Sequence, residues 1–171
     1  MCGLSLIVGF LLSSCLISRS VAAETWVVRE DGAGPVKVGI SLSELNGVLR
    51  EKFSLPLEKD ERRCFYVNPR EHPDISIMIV DGRVARFDVV SAGVSTSKGI
   101  QVGDSEARAR HAYGPRMKVS RHAYTGDEGG HYLTFRSSDA RYGIRFETDQ
   151  GKITMFYAGR YAAVQYIEGC E

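Results

Sequence analysis

Ile75-Ser76-Ile77-Met78-Ile79-Val80-Asp81-Gly82-Arg83-Val84-Ala85-Arg86-Phe87-Asp88-Val89-Val90 reads as two strands joined by a tight turn. β-branched and aromatic residues dominate both flanks, and Asp-Gly is a hairpin signal. A two-residue turn at Asp81-Gly82 would put Arg86 and Asp88 on the face that carries Ile75, Ile77 and Ile79. A three-residue loop with Gly82 left-handed puts Ala85, Phe87 and Val89 there instead. A one-residue slip buries charges, so the hydrophobic pattern selects the three-residue loop.

The same block returns further on. Ile144-Arg145-Phe146 through Gly151-Lys152-Ile153-Thr154-Met155-Phe156 matches Ile75-Ser76-Ile77 through Gly82-Arg83-Val84-Ala85-Arg86-Phe87. Upstream, Val38-Gly39-Ile40-Ser41 matches Val102-Gly103-Asp104-Ser105, and each match opens a helical pattern. An insertion carrying Gly126, Gly129 and Gly130 separates helix from strand in the second copy. The expected fold is α+β: two tandem α-β-β-β repeats, 36–90 and 99–158, with helices packed on antiparallel sheet and a C-terminal tail 159–171.

Ser41 with Glu44 forms a capping box, and Leu42, Leu45, Val48, Leu49 and Phe53 share one face of the helix that follows. A second helix over Ser105 to Tyr113 stops at Gly114-Pro115. Strands are expected near Cys64–Val67, Ile75–Val80, Arg83–Val90, His131–Arg136, Arg141–Thr148 and Lys152–Ala158. Alternation sends Ile144, Phe146 and Phe156 inward with Leu133 and Phe135. It leaves Ser76, Arg86 and Asp88 on the outer face of the first copy, and Ile153, Met155, Tyr157 and Tyr132 beside Arg145 and Glu147 on that of the second. An apolar, aromatic strip on a nominally solvated face needs a cover. Either the tail Tyr161 to Glu171 folds over it, pinned by Cys170 to Cys64, or a partner meets Tyr132, Arg145, Met155 and Tyr157. Both hold if the tail covers only half.

Leu4 to Ile17 is an apolar run, closed by the small and polar residues Ser18 to Ala23, and is expected to be an export signal, 1–23. Val21-Ala22-Ala23 would release a soluble chain starting at Glu24. Leu12-Ser13-Ser14-Cys15 has the form of a lipobox, with signal 1–14 and Cys15 lipidated. Removal of 1–23 leaves a single expected α+β domain, 24–171, with enough chain for a core. It also removes Arg19 from the 22 basic residues, so they balance the 21 acidic ones. A neutral chain argues against nucleic acid as a partner. The surviving cysteines, Cys64 and Cys170, most simply pair in an oxidising compartment. A two-Cys metal site would need neighbouring His at ligand spacing, which is missing.

Catalytic patterns are thin. Gly103-Asp104-Ser105 has the letters of a GDSL-type nucleophile block, yet no Asp-x-x-His follows near the C-terminus, and an N-cap explains it better. His72, His111, His122 and His131 are scattered, Asp127 and Glu128 are too few for a calcium loop, and no cofactor signature is present. The basic group Arg108, Arg110, Arg116, Lys118 and Arg121 reads as a solvated face.

The run Gly99-Ile100-Gln101-Val102-Gly103-Asp104-Ser105-Glu106, with Tyr113-Gly114, Tyr132-Leu133-Thr134-Phe135, Gly143-Ile144-Arg145-Phe146-Glu147-Thr148-Asp149 and Tyr166-Ile167-Glu168-Gly169-Cys170, resembles an uncharacterised group of exported proteobacterial proteins. The glycine-led helix followed by three strands is similar to small envelope lipoproteins of the outer-membrane assembly type, and tandem copies resemble the beta-lactamase inhibitor protein. That resemblance implies a fold and a leaning towards protein binding; fold alone does not give function. The expectation is therefore an exported, non-catalytic binding module, periplasmic or secreted, with an envelope or extracellular protein as partner. Two other readings stand beside it: a structural lipoprotein held to the membrane through Cys15, and a small envelope hydrolase using Ser105.

Overall fold

The computed structural model describes residues 25–170. The export signal 1–23, its alternative 1–14 and Cys15 lie outside the described residues. Mixed α+β structure is observed, mostly strand, with two sheets and two α-helices among the described residues.

The strands are β1 (Val27–Arg29), β2 (Gly32–Ala33), β3 (Val36–Lys37), β4 (Cys64–Val67), β5 (Ile75–Val80), β6 (Arg83–Val89), β7 (Ser95–Thr96), β8 (Lys118–Arg121), β9 (His131–Arg136), β10 (Tyr142–Asp149) and β11 (Lys152–Arg160). Helix α1 is Leu42–Leu49 and α2 is Glu106–Tyr113. Seven strands form an antiparallel sheet in the order β4-β5-β6-β11-β10-β9-β8, so β6 and β11 meet at its centre. A small second sheet runs β3-β2-β1-β7, with β1 and β7 parallel.

The hairpin decides register differently from the sequence reading. Asp81 (φ 49°) and Gly82 (φ 74°) make a two-residue turn, and Val80 pairs with Arg83. The extra residue sits further along: Ile79 pairs with Val84 and Met78 with Arg86, which leaves Ala85 as a β-bulge. Phe87 and Val89 are inward as expected, but Val84 joins them and Ala85 turns to the other face with Met78. The second hairpin repeats the device with Gln150 and Gly151 in the turn and Thr154 as the bulge, so Ile153 packs in the core and not on the outer strip. A bulge satisfies the same hydrophobic pattern as a longer loop while keeping the favoured turn.

Each hairpin tip receives a helix entry through matching hydrogen bonds. Gly39 N–H donates to Val84 O at 2.7 Å, and Gly103 N–H to Ile153 O at 2.8 Å. Leu42 N–H donates to Gly82 O at 3.0 Å, and Glu106 N–H to Gly151 O at 2.9 Å. The Ser41–Glu44 capping box forms, but α1 ends at Arg50 in the left-handed conformation, so Phe53 lies beyond the helix and is held by a two-way hydrogen bond to the Asn46 side chain. Of the expected apolar face Leu45 is fully buried and Val48 is exposed.

Leu45 from α1, Ala109 and Tyr113 from α2, and Trp26, Val28 and Val36 around the small sheet share one core with Ile75, Ile77, Phe87, Leu133, Ile144, Phe146 and Phe156 of the large sheet. The helices and the small sheet therefore cover the inner face of the seven strands. Burial of side chains this size contributes about 1.5–3 kcal/mol each. The outer face is crossed by the tail, whose short 3₁₀ turn Ala163–Gln165 follows β11 and whose Cys170 is bonded to Cys64 on edge strand β4.

Candidate functional site

Three rows of side chains cross the outer face, as the ladder pairing dictates. The first is Tyr66, Met78, Arg86, Gly159, Gly143, Arg136; the second is Ser76, Asp88, Tyr157, Arg145, Thr134; the third is Met155, Glu147, Tyr132. Tyr132, Arg145, Met155 and Tyr157, the residues singled out in the sequence, are thus brought together in the second and third rows. Tyr132, Arg145 and Tyr157 are buried, and Met155 is half-buried.

Their cover has two sources. The tail lies across the first row and reaches the second: Ala163 packs with Met78 and Ala85, Val164 sits over Gly143, and the Arg145 guanidinium of the second row donates to the Gln165 side-chain oxygen. Gly159 is required by close approach, since a Cβ there would lie 2.2 Å from Ala85 O. The third row is covered by the loop after β8, where His122 stacks on Tyr132 with ring centroids 4.4 Å apart.

A hydrogen-bonded network runs through this layer. Arg86, 2% exposed, donates from Nε and Nη2 to Asp88 at 2.7 Å each, from Nη1 to Ala163 O and Tyr166 O, and from Nη2 to the Tyr66 hydroxyl. Tyr66 in turn donates to Asp88 Oδ2 at 2.9 Å. Arg86 lies 4.4 Å from the Tyr157 ring centroid, and the Tyr157 hydroxyl donates to Glu147 Oε1. Arg145 donates to Thr134 Oγ1 and lies over the Tyr132 ring. Burial pushes the Asp88 carboxyl above its ordinary value, with Arg86 and the Tyr66 hydroxyl pulling against it. Burial also opposes the Arg86 charge, but Asp88 outweighs it and holds the guanidinium above its ordinary value. The Tyr66 and Tyr157 hydroxyls are pushed up by burial and by the facing carboxylates, so both stay donors.

His122 has both ring nitrogens committed. Nδ1 accepts from the Tyr124 and Thr125 N–H groups at 3.2 Å each, which leaves the proton on Nε2 to donate to Glu147 Oε2 at 3.0 Å. Ser105 caps α2, its Oγ accepting from Arg108 N–H, and His131 Nδ1 meets Glu106 at 2.9 Å. Among the described residues no three His, Cys, Asp or Glu side chains converge on a metal position. Arg108, Arg110 and Arg121 of the basic group are paired with Asp104, Glu106 and Asp127. The side chains of the layer are held by hydrogen bonds to one another and to the tail.

His122 and Gln165 were not marked as site residues by the sequence. Each joins the layer through a contact between distant segments, and no local pattern announces it. Arg86 and Asp88 were legible as outward-facing; Tyr66, Tyr157 and the tail backbone that enclose Arg86 come from distant segments. Comparison with known proteins finds no family model that matches the chain and no curated protein that matches it.

Proposed function

We propose that this chain is an exported, disulfide-stapled, non-catalytic protein-binding module of the cell envelope, of inhibitor or immunity type, that meets its partner through the outer face of the large sheet. The observation that carries the reading is the frame of Tyr132, Arg145 and Tyr157, locked by hydrogen bonds and stacking, beside which Met155 is left only half-covered. Tyr124 is 66% exposed and follows His122, which is stacked on Tyr132. Met155, half-buried, opposes Glu147 in the same row, and Val90, 66% exposed, continues β6 beside it. Tyr and Met are favoured in interface cores, and a pre-organised frame lowers the entropy lost on binding. In this reading Tyr132, Arg145 and Tyr157 position the surface, and Met155 with Tyr124 contacts the partner. The matching helix entries and bulged hairpins support two tandem α-β-β-β units in one domain, the architecture of the beta-lactamase inhibitor type.

The test is a pull-down from the native host's envelope with the parent protein and with a Met155→Glu, Tyr124→Ser double variant, folding being checked by thermal melting. The expected result is a stoichiometric partner captured by the parent and lost by the variant at unchanged melting temperature. Equal capture by both would remove this face from the assignment.

A further inference from the structure

We propose that the opposite end of the sheet from Met155, where β10 begins and β11 ends, is a binding site for a phosphate-bearing small molecule. A cleft of about 530 Å³ opens there, lined by Arg136, Arg141, Arg160, Tyr142 and Tyr161, with Val38-Gly39 from the entry to α1 as its far wall. The volume is within the range of small-molecule sites and larger than a bare ion needs.

Three arginines line this cleft from three places: the end of β9, the turn between β9 and β10, and the end of β11. Arg136 is pre-oriented, with its guanidinium 4.0 Å from the Tyr161 ring centroid and its Nε donating to Ala140 O at 3.0 Å. That acceptor is itself held in place: Ala140 has φ 61°, a conformation L-residues rarely adopt, inside a turn closed by its own N–H to Ser137 O. Arg160 is half-buried, faces Tyr142 across the ladder, and has no carboxylate partner among the described residues. Arg141 is the one of the three already paired, to Asp139 at 2.7 Å. Arg83 and Arg116 stand just behind, donating to Gly39 O and Arg136 O.

Unspent guanidinium donors from separate directions match a tetrahedral dianion better than a single carboxylate, because each fork can take its own pair of oxygens. The tyrosine rings and the spare volume call for an organic body attached to the phosphate, preferably a flat one.

The experiment is a two-dimensional amide NMR titration with inorganic phosphate and with phenyl phosphate, alongside sedimentation with phosphatidylglycerol vesicles. Expected are shifts centred on 136–142 and 160–161, and tighter binding of phenyl phosphate than of inorganic phosphate. Arg136→Gln and Arg160→Gln should each weaken binding at least about tenfold, the scale of a lost charge-assisted hydrogen bond. Arg108→Gln, whose guanidinium is paired with Asp104, should leave binding unchanged. Melting temperatures check that each variant folds. Shifts spread over all basic residues, or affinity unchanged when Arg136 and Arg160 are both replaced, would overturn the proposal. So would sedimentation with the vesicles without phenyl phosphate binding, which would assign the arginines to a membrane surface.

Discussion

Replacing Arg86 with methionine is the sharpest probe of whether the tail seals the outer face. The side chain makes five hydrogen bonds, to Asp88 twice, Tyr66, Ala163 O and Tyr166 O, and the ion pair is 3% and 10% exposed on its two sides. Methionine keeps much of the volume over Tyr157 and removes every donor. Breaking a buried pair from one side costs about 3–5 kcal/mol, because the carboxylate left behind is uncompensated. The two orphaned carbonyls add to this, less whatever water regains as the tail lifts, so a loss of about 4 kcal/mol is expected at pH 7. The sign of the pH dependence follows from the stranded acid. Without Arg86 the folded-state pKa of Asp88 rises further above the unfolded value of about 4, and a carboxyl raised in this way costs nothing below that value. Its penalty grows as pH rises through the folded value. Urea unfolding at pH 7 and pH 4.5 should therefore show a smaller loss in acid, and adding Asp88→Asn should return about half of the loss at pH 7. A loss under about 1 kcal/mol, independent of pH, would mean that Asp88 is hydrated and that the tail does not close the face.

Two further outcomes follow from the same layer. Converting Cys64 and Cys170 to alanine opens a bond spanning a sequence separation of 106 and should lower the unfolding free energy by about 5 kcal/mol on chain entropy, with new protease cleavage in the tail; a midpoint in urea like that of the parent would contradict this. Gly159→Ala places a Cβ against the Ala85 carbonyl at 2.2 Å and should cost about 1–3 kcal/mol, read as a lower thermal midpoint with the disulfide intact.

The large sheet was legible because its signals are local. Alternation located β4, β5, β6, β9, β10 and β11 to within a residue or two, and Ser41-Glu44 and Gly114-Pro115 marked where helices begin and stop. The pairing of Cys64 with Cys170 followed from reading residues 1–23 as an export signal, which leaves these two cysteines. The bulges at Ala85 and Thr154 were not legible, since a bulge and a longer loop give the same inward set for Phe87, Val89 and Phe156 and differ only at Val84, Ala85 and Ile153. Strands β1, β2, β3 and β7 are two or three residues long, and β8 is exposed at all four positions, so none carries an alternation to read. The outer strip was visible as a set, but its internal geometry was not. Arg86 could be placed on that face from its register alone, whereas its acceptors Ala163 O and Tyr166 O come from backbone far along the chain, and a carbonyl leaves no mark in a sequence.

The bond from Cys64 to Cys170 also imposes a chronology. Cys64 opens the edge strand of the sheet, yet its partner is the 106th residue synthesised after it. Until then Cys64 lacks the partner it has in the folded structure, and Arg86 lacks the two carbonyls that the same segment brings. The strap therefore cannot close before β11, the last strand of the large sheet, has been made. The segment that takes the Arg86–Asp88 pair out of water is thus the last to be made, and it carries the carbonyl acceptors that offset the desolvation.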